Sequence, residues 1–140
     1  MRNFLISIMS TTMIIPAAAA AAAAAAPVSV TVNGPDGRPL VDAVVTLDVP
    51  GTPPPVPRGS YAMAQRNVAF APHVLIVPVG ATVSFPNQDR VRHHVYSFSS
   101  AKKFDLKLYG RDETKSVSFA KPGIVALGCN IHDMMSGFVF

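Results

Sequence analysis

Cys129 is the only cysteine in the 140 residues, and His132 follows three positions later. Met134 and Met135 come next, so "CNIHDMM" holds a thiol, an imidazole and two thioethers within seven residues. A second pair of imidazoles, His93 and His94, lies in "NQDRVRHHVYSF", and His73 stands alone in "FAPHVLIV". Two imidazoles, one thiolate and a weak axial thioether make up the trigonal donor set of blue-copper centres. Thiolate and thioether suit Cu(I), while imidazole also suits Cu(II), so a site between the two preferences changes little on electron transfer. Zinc fits less well, because its structural sites favour several thiolates or histidines and rarely methionine. Iron–sulfur clusters need more cysteines than the chain has. The competing reading of Cys129 is a plain buried thiol, which packs as a small hydrophobe.

These donors need rigid supports, and the chain offers strands. After residue 26 there is little helical periodicity, and 13 prolines and 9 glycines argue against long helices. In "VSVTVNGPDGRPLVDAVVTLDV", Val28, Val30 and Val32 alternate with polar residues, "NGPDG" is turn chemistry, and Val41 to Leu47 is apolar. A hairpin is expected there. Pro50 to Ser60 holds five prolines and is expected as a surface loop. Short strands are expected at residues 68–70, 74–77, 82–85, 94–98, 116–119, 124–127 and 137–140. Residues 99–114 read as a polar connection, although Phe104, Leu106 and Leu108 alternate with polar neighbours. About eight short strands with regular turns predict an all-β sandwich or barrel. His93 and His94 then sit where a loop enters a strand, and Cys129 and His132 sit between two later strands. Strand ends so far apart in sequence can meet at one pole of a sandwich. Adjacent strand residues point to opposite faces, so only one of His93 and His94 faces the thiol; His93 is favoured, with His94 as the alternative or, if His93 is the ligand, as a residue that braces the loop.

The beginning of the chain is of another kind. Arg2, an apolar run from Phe4 to Ile15 and the alanines from Ala17 to Ala26 have the layout of a secretory signal. Residues 1–26 are therefore expected to be a leader cut between Ala20 and Ala26, with an uncleaved anchor as the alternative. No later apolar stretch is long enough to span a bilayer. Residues 27–140 are expected to form one domain, with 27–67 as hairpin and proline-rich loop and 68–140 as the metal-binding part. Without Arg2, eleven basic residues face eight acidic ones, a net charge of +3. No Lys/Arg run exceeds Lys102–Lys103, so a phosphate-tracking surface is absent and nucleic acid is not an expected partner. Export removes a lone thiol from reducing conditions, and burial or a metal would protect it from oxidation.

"FAPHVLIVPVGATVSFPNQDRVRHHVYSF" and "PGIVALGCNIHDMMSGFVF" together resemble a cupredoxin of the plastocyanin and amicyanin kind. The nearer likeness is to bacterial periplasmic cupredoxin-like proteins labelled methylamine utilization proteins. The resemblance covers residues 68–140 well and 28–67 more loosely. It implies a Greek-key β-sandwich or barrel of the cupredoxin type, holding one copper ion. Matched to the family pattern, His93, Cys129 and His132 fall on the first three ligands, and His94 falls where Asn is common. The plastocyanin-type loop has four residues between its last histidine and the methionine. Here C-x-x-H-x-x-M is tighter, with Met135 favoured over Met134 as the axial ligand. The H-x-x-M spacing is similar to the binuclear copper site of oxidases, which needs a second cysteine.

The resulting expectation is a periplasmic, mononuclear type 1 copper protein that carries electrons between larger redox proteins. It would be a monomer and not an enzyme, since no nucleophile with an adjacent base stands apart from the metal donors. Two alternatives stay open. One is a periplasmic copper carrier or resistance protein using the same ligands. The other is a metal-free β-sandwich binding module, because "VNGPDGRPLVDAVVTLDV" also resembles the carboxypeptidase-regulatory-like β-domains of exported proteins.

Overall fold

A computed structural model describes residues 27–140; the leader expected over residues 1–26 lies outside them. The chain divides into two units, Met1–Thr31 and Val32–Phe140. Only residues 27–31 of the first are described, and they form no strand. The described residues hold ten strands and no helix, so none of them forms a helix long and apolar enough to cross a membrane. In chain order the strands are β1 (Tyr61–Ala62), β2 (Ala64–Gln65), β3 (Phe70–Ala71), β4 (Val74–Leu75) and β5 (Thr82–Pro86). Then come β6 (His93–Ser97), β7 (Phe104–Tyr109), β8 (Thr114–Ser118), β9 (Val125–Cys129) and β10 (Ser136–Val139).

Period-two patterning builds these elements. β5 turns Val83 and Phe85 inward, β6 turns His93, Val95 and Ser97 inward, and β9 does the same with Val125, Leu127 and Cys129. A five-stranded sheet has the order β4-β10-β9-β6-β7, a three-stranded one β1-β5-β8, and β2-β3 form a small third sheet. β1–β5 and β4–β10 pair in parallel, and the remaining pairs are antiparallel. From β4 on, the chain therefore crosses between the two larger sheets after β4, after β5, after β7 and after β8. Their inner faces share one core of Val83, Phe85, Val95, Tyr109, Val117, Val125, Leu127 and Val139, joined by Met63 and Phe70. Each fully buried large apolar side chain of this kind contributes about 1.5–3 kcal/mol relative to exposure.

Tyr109 brings a polar group into that core. Its hydroxyl donates to Gln65 Oε1 and lies 3.0 Å from the Phe85 carbonyl. Burial pushes the phenol well above its usual range, against the opposing effect of the Gln65 bond. Gln65 Nε2 in turn donates to the Met63 carbonyl at 3.2 Å. The core thus has a satisfied polar centre that ties β2, β5 and β7 together.

Two expectations are corrected. The hairpin over residues 28–47 is reduced to a turn and one bridge, Asn33 to Pro39. Its turn closes as read, with Gly34 N–H donating to Arg38 O at 2.8 Å and Leu40 N–H to Val32 O at 2.8 Å. The strands fail for lack of a surface to pack on. Val41, Val45 and Leu47 remain exposed, and an unsupported two-stranded ribbon is marginal in water. Asp42, at a φ of 62°, also breaks the extended run. Residues 99–114 are no mere connection, since Phe104–Tyr109 is the edge strand β7. The alternation seen in the sequence does not run through it: the register against β6 shifts between His94 and Tyr96, Lys107 takes a φ of 58°, and the buried position moves from Leu108 to Tyr109. The expected proline-rich stretch does form a surface loop without strands.

Candidate metal centre

The β6–β9 register sets Val95 opposite Cys129. His93, two residues before Val95, points to the same inner face and is fully buried. Its Nδ1 lies 3.7 Å from Cys129 Sγ. The loop after β9 turns back at once, with His132 N–H near the Cys129 carbonyl at 3.4 Å and Met135 N–H donating to His132 O at 2.9 Å. This double turn brings His132 Nδ1 to 3.5 Å from the sulfur. The two imidazole rings lie with centroids 4.9 Å apart. One donor atom from each of His93, Cys129 and His132 lies within 4.8 Å of the others.

These separations can be tested against a metal. Bonds of about 2.3 Å to sulfur and about 2.0 Å to nitrogen place the two donors about 3.5 Å apart at a tetrahedral angle and about 3.7 Å apart at a trigonal one. The two sulfur-to-nitrogen distances match that range, so each imidazole is placed to share an ion with the thiolate. Cys129 and His93 are buried and His132 is half-buried, so the opening to solvent runs past His132. One thiolate with two imidazoles is the donor chemistry of copper electron-transfer sites rather than of structural zinc.

The other residues singled out in the sequence separate by position. Met135 is 2% exposed and packs in the same core cluster as Cys129, whereas Met134 is 95% exposed. His94 turns to the outer face, where its ring donates to Asp105. Its backbone N–H points at Cys129 Sγ, 3.5 Å away. His73 is exposed and pairs with Asp42 at 2.7 Å. Of the apolar side chains that could dry the site, Phe85 is buried, but Ile131 is half-exposed. Phe138 stands on the other face of β10, edge-on to His73 at 5.6 Å.

In the sequence, Asp89 reads equally as a brace of the ligand loop through side-chain hydrogen bonds and as plain turn chemistry. Its Oδ2 accepts the His93 ring at 2.9 Å and Val68 N–H at 2.9 Å, and its Oδ1 accepts Asn67 N–H at 2.6 Å. Burial works to raise its pKa, but these bonds outweigh it and hold the carboxyl below its usual range. Gly128 was not foreseen. A Cβ there would sit 2.8 Å from the end of the Tyr96 ring, so glycine makes room for Tyr96, its partner on β6.

Comparison with known proteins places the fold. The sequence matches no protein-family profile and no curated protein. Among solved structures it is similar to a reduced, Cu(I) form of an amicyanin variant, at 24% identity and a TM-score of 0.52, covering 60% of this chain and 83% of that one. An oxidized amicyanin variant aligns at 21% identity and a TM-score of 0.54, with the same coverage. A purple cupredoxin from Nitrosopumilus maritimus aligns at 22% identity and a TM-score of 0.52, covering 57% of this chain and 97% of that one. The fold is a β-sandwich of the cupredoxin type.

Proposed function

We propose that the chain is an exported, mononuclear type 1 copper protein that carries single electrons between redox partner proteins. The observation that carries this reading is the convergence of His93, Cys129 and His132 donor atoms within 4.8 Å at one end of a cupredoxin-type sandwich. His93, Cys129 and His132 would hold the ion, and the buried Met135 is the residue to supply the weak axial thioether. Bound copper would supply a one-electron Cu(I)/Cu(II) couple.

The protein's part is to hold the donors still. His93 and Cys129 are fixed by two paired strands, so little has to rearrange when charge changes. The His94 N–H beside Cys129 Sγ withdraws charge from the sulfur, and hydrogen bonding there tunes the potential. His132, half-buried, offers the path by which an electron reaches a docked partner. The leader-like residues 1–26 support a periplasmic location. The modest net charge supports a protein partner over nucleic acid, with the protein itself a monomer. The narrower likeness to methylamine utilization proteins rests on sequence motifs alone and names no partner.

The test is addition of Cu(II) to the purified protein. An intense visible charge-transfer band is expected, absent in Cys129→Ser. No band and no copper retained at equimolar metal would refute the reading. A reversible Cu(I)/Cu(II) couple supports electron transfer, whereas rapid loss of copper to a chelator without such a couple would favour a carrier.

A further inference from the structure

We infer that Asp89 is a positioning residue: its carboxylate fixes the tautomer of His93 and clasps the β2–β3 turn to that imidazole. The inference deepens the copper reading and, where it concerns metal, rests on it.

The geometry is specific. Asp89 lies in the loop between β5 and β6, four residues before His93, with its side chain 12% exposed and that of His93 fully buried. An ionised carboxylate can only accept hydrogen bonds. The His93 Nε2 at 2.9 Å from Oδ2 must therefore carry the proton. In the neutral ring that leaves Nδ1, the atom 3.7 Å from Cys129 Sγ, with a free lone pair. Metal-bound histidines are oriented and made more basic by such carboxylates. The same carboxylate accepts the N–H groups of both Asn67 and Val68. These two residues turn β2 into β3 and both have a φ of 56°, a conformation unfavourable for a β-branched side chain. The clasp is itself held, since Asp89 N–H donates to Asn87 Oδ1 at 2.9 Å. Asn87 Nδ2 then bonds the Val91 and Tyr109 carbonyls at 2.9 and 3.3 Å. A single carboxylate thus links a strained turn 21 residues upstream to one candidate ligand.

Nitrogen-15 NMR of the imidazoles in the metal-free protein tests the tautomer without copper. His93 should show a protonated Nε2 and a bare Nδ1, and Asp89→Ala should populate both tautomers. A protonated Nδ1 in the native protein, or an unchanged single tautomer in Asp89→Ala, overturns the inference. With copper, Asp89→Ala should lose about 10–100-fold in Cu(II) affinity. Its potential should rise, by about 59 mV for each tenfold loss relative to Cu(I). Asp89→Asn, which keeps the shape without the charge, should move the potential the same way and serves if the alanine variant does not fold. Native-like affinity and potential in a folded variant overturn the inference while leaving the copper reading intact. Failure of the native protein to take up copper refutes the copper reading, and the tautomer measurement then decides the role of Asp89 alone.

Discussion

Replacing Val68 by glycine should stabilise the metal-free protein. Val68 sits in the two-residue turn between β2 and β3, where Arg66 and Ala69 exchange backbone hydrogen bonds at 2.9 and 3.2 Å. Asn67 and Val68 both have a φ of 56°, as the mirror-image hairpin turns require. Asn tolerates this region, but a β-branched residue there is strained by about 1–3 kcal/mol. Glycine removes that strain and returns about 0.5–1 kcal/mol through the greater freedom of the unfolded chain. Val68 is 45% exposed, so the lost burial is small. The net expectation is a gain of about 1 kcal/mol, or about 4 °C in Tm for a domain of this size. Urea and thermal unfolding followed by circular dichroism would measure it. The Val68 N–H to Asp89 persists in the variant, so Cu(II) affinity should stay within about twofold, well short of the 10–100-fold cost of losing a residue that orients a ligand. A drop in urea midpoint at unchanged slope would refute the account, because the turn would then owe its stability to the valine side chain.

Two other outcomes follow from the same coordinates. Gly128→Ala should destabilise by about 1–3 kcal/mol, since its Cβ would lie 2.8 Å from Tyr96; adding Tyr96→Ala should recover much of that loss in urea unfolding, and strict additivity would show that the two side chains do not compete. Asp105 is held well below the ordinary carboxylate range by the Lys107 side chain first, then by Lys107 N–H and His94. A depressed native pKa means its contribution is complete above the unfolded value of about 3.9 and fades as pH falls through the lower native one. The stability gap between native protein and Asp105→Asn should therefore shrink as pH falls from about 5 through about 4 and below, and a gap that widened over that range would contradict the assignment.

Much of the site was legible because period two is a strong signal. Alternation in "HHVYSF" and "VALGC" marks two strands and says which residues share a face. It puts His93 and His94 on opposite faces, but which of them meets the thiol is decided by the pairing of Val95 with Cys129. The spacing of Cys129 and His132 needed only a short turn, which the fold supplies. The sequence could not show what lies across space. Asp89 reads equally as a brace of the ligand loop and as turn chemistry until His93 and the turn at Asn67–Val68 are seen beside it. Nor does Gly128 show its need for glycine until Tyr96 is seen on the neighbouring strand. β7 was missed although its alternation of Phe104, Leu106 and Leu108 is visible: it sits in a polar stretch that reads as a connection, and the bulge at Lys107 moves the buried position to Tyr109. The first hairpin was expected for the opposite reason: a good local pattern is insufficient where Val41, Val45 and Leu47 find no partner surface.

Choice of ligand here is finally a matter of register. Slipping β6 by one residue against β9 would send His94 toward the thiol and His93 away, because successive side chains take opposite faces. Val95 and Ser97 prevent the slip: both share the inner face with His93 and are at most 1% exposed, and a slip would expose Val95 and force Tyr96 inward. His94 then serves through its backbone while its ring faces out to Asp105. Its N–H approaches Cys129 Sγ at 3.5 Å, and its carbonyl accepts Asn130 N–H at 3.2 Å. Those two contacts pin the start of the Cys129–Met135 loop to β6, so the strand that presents His93 also positions the sulfur. The apolar core thereby determines the donor geometry, and a copper ion would enter a site whose two buried ligands are already in register.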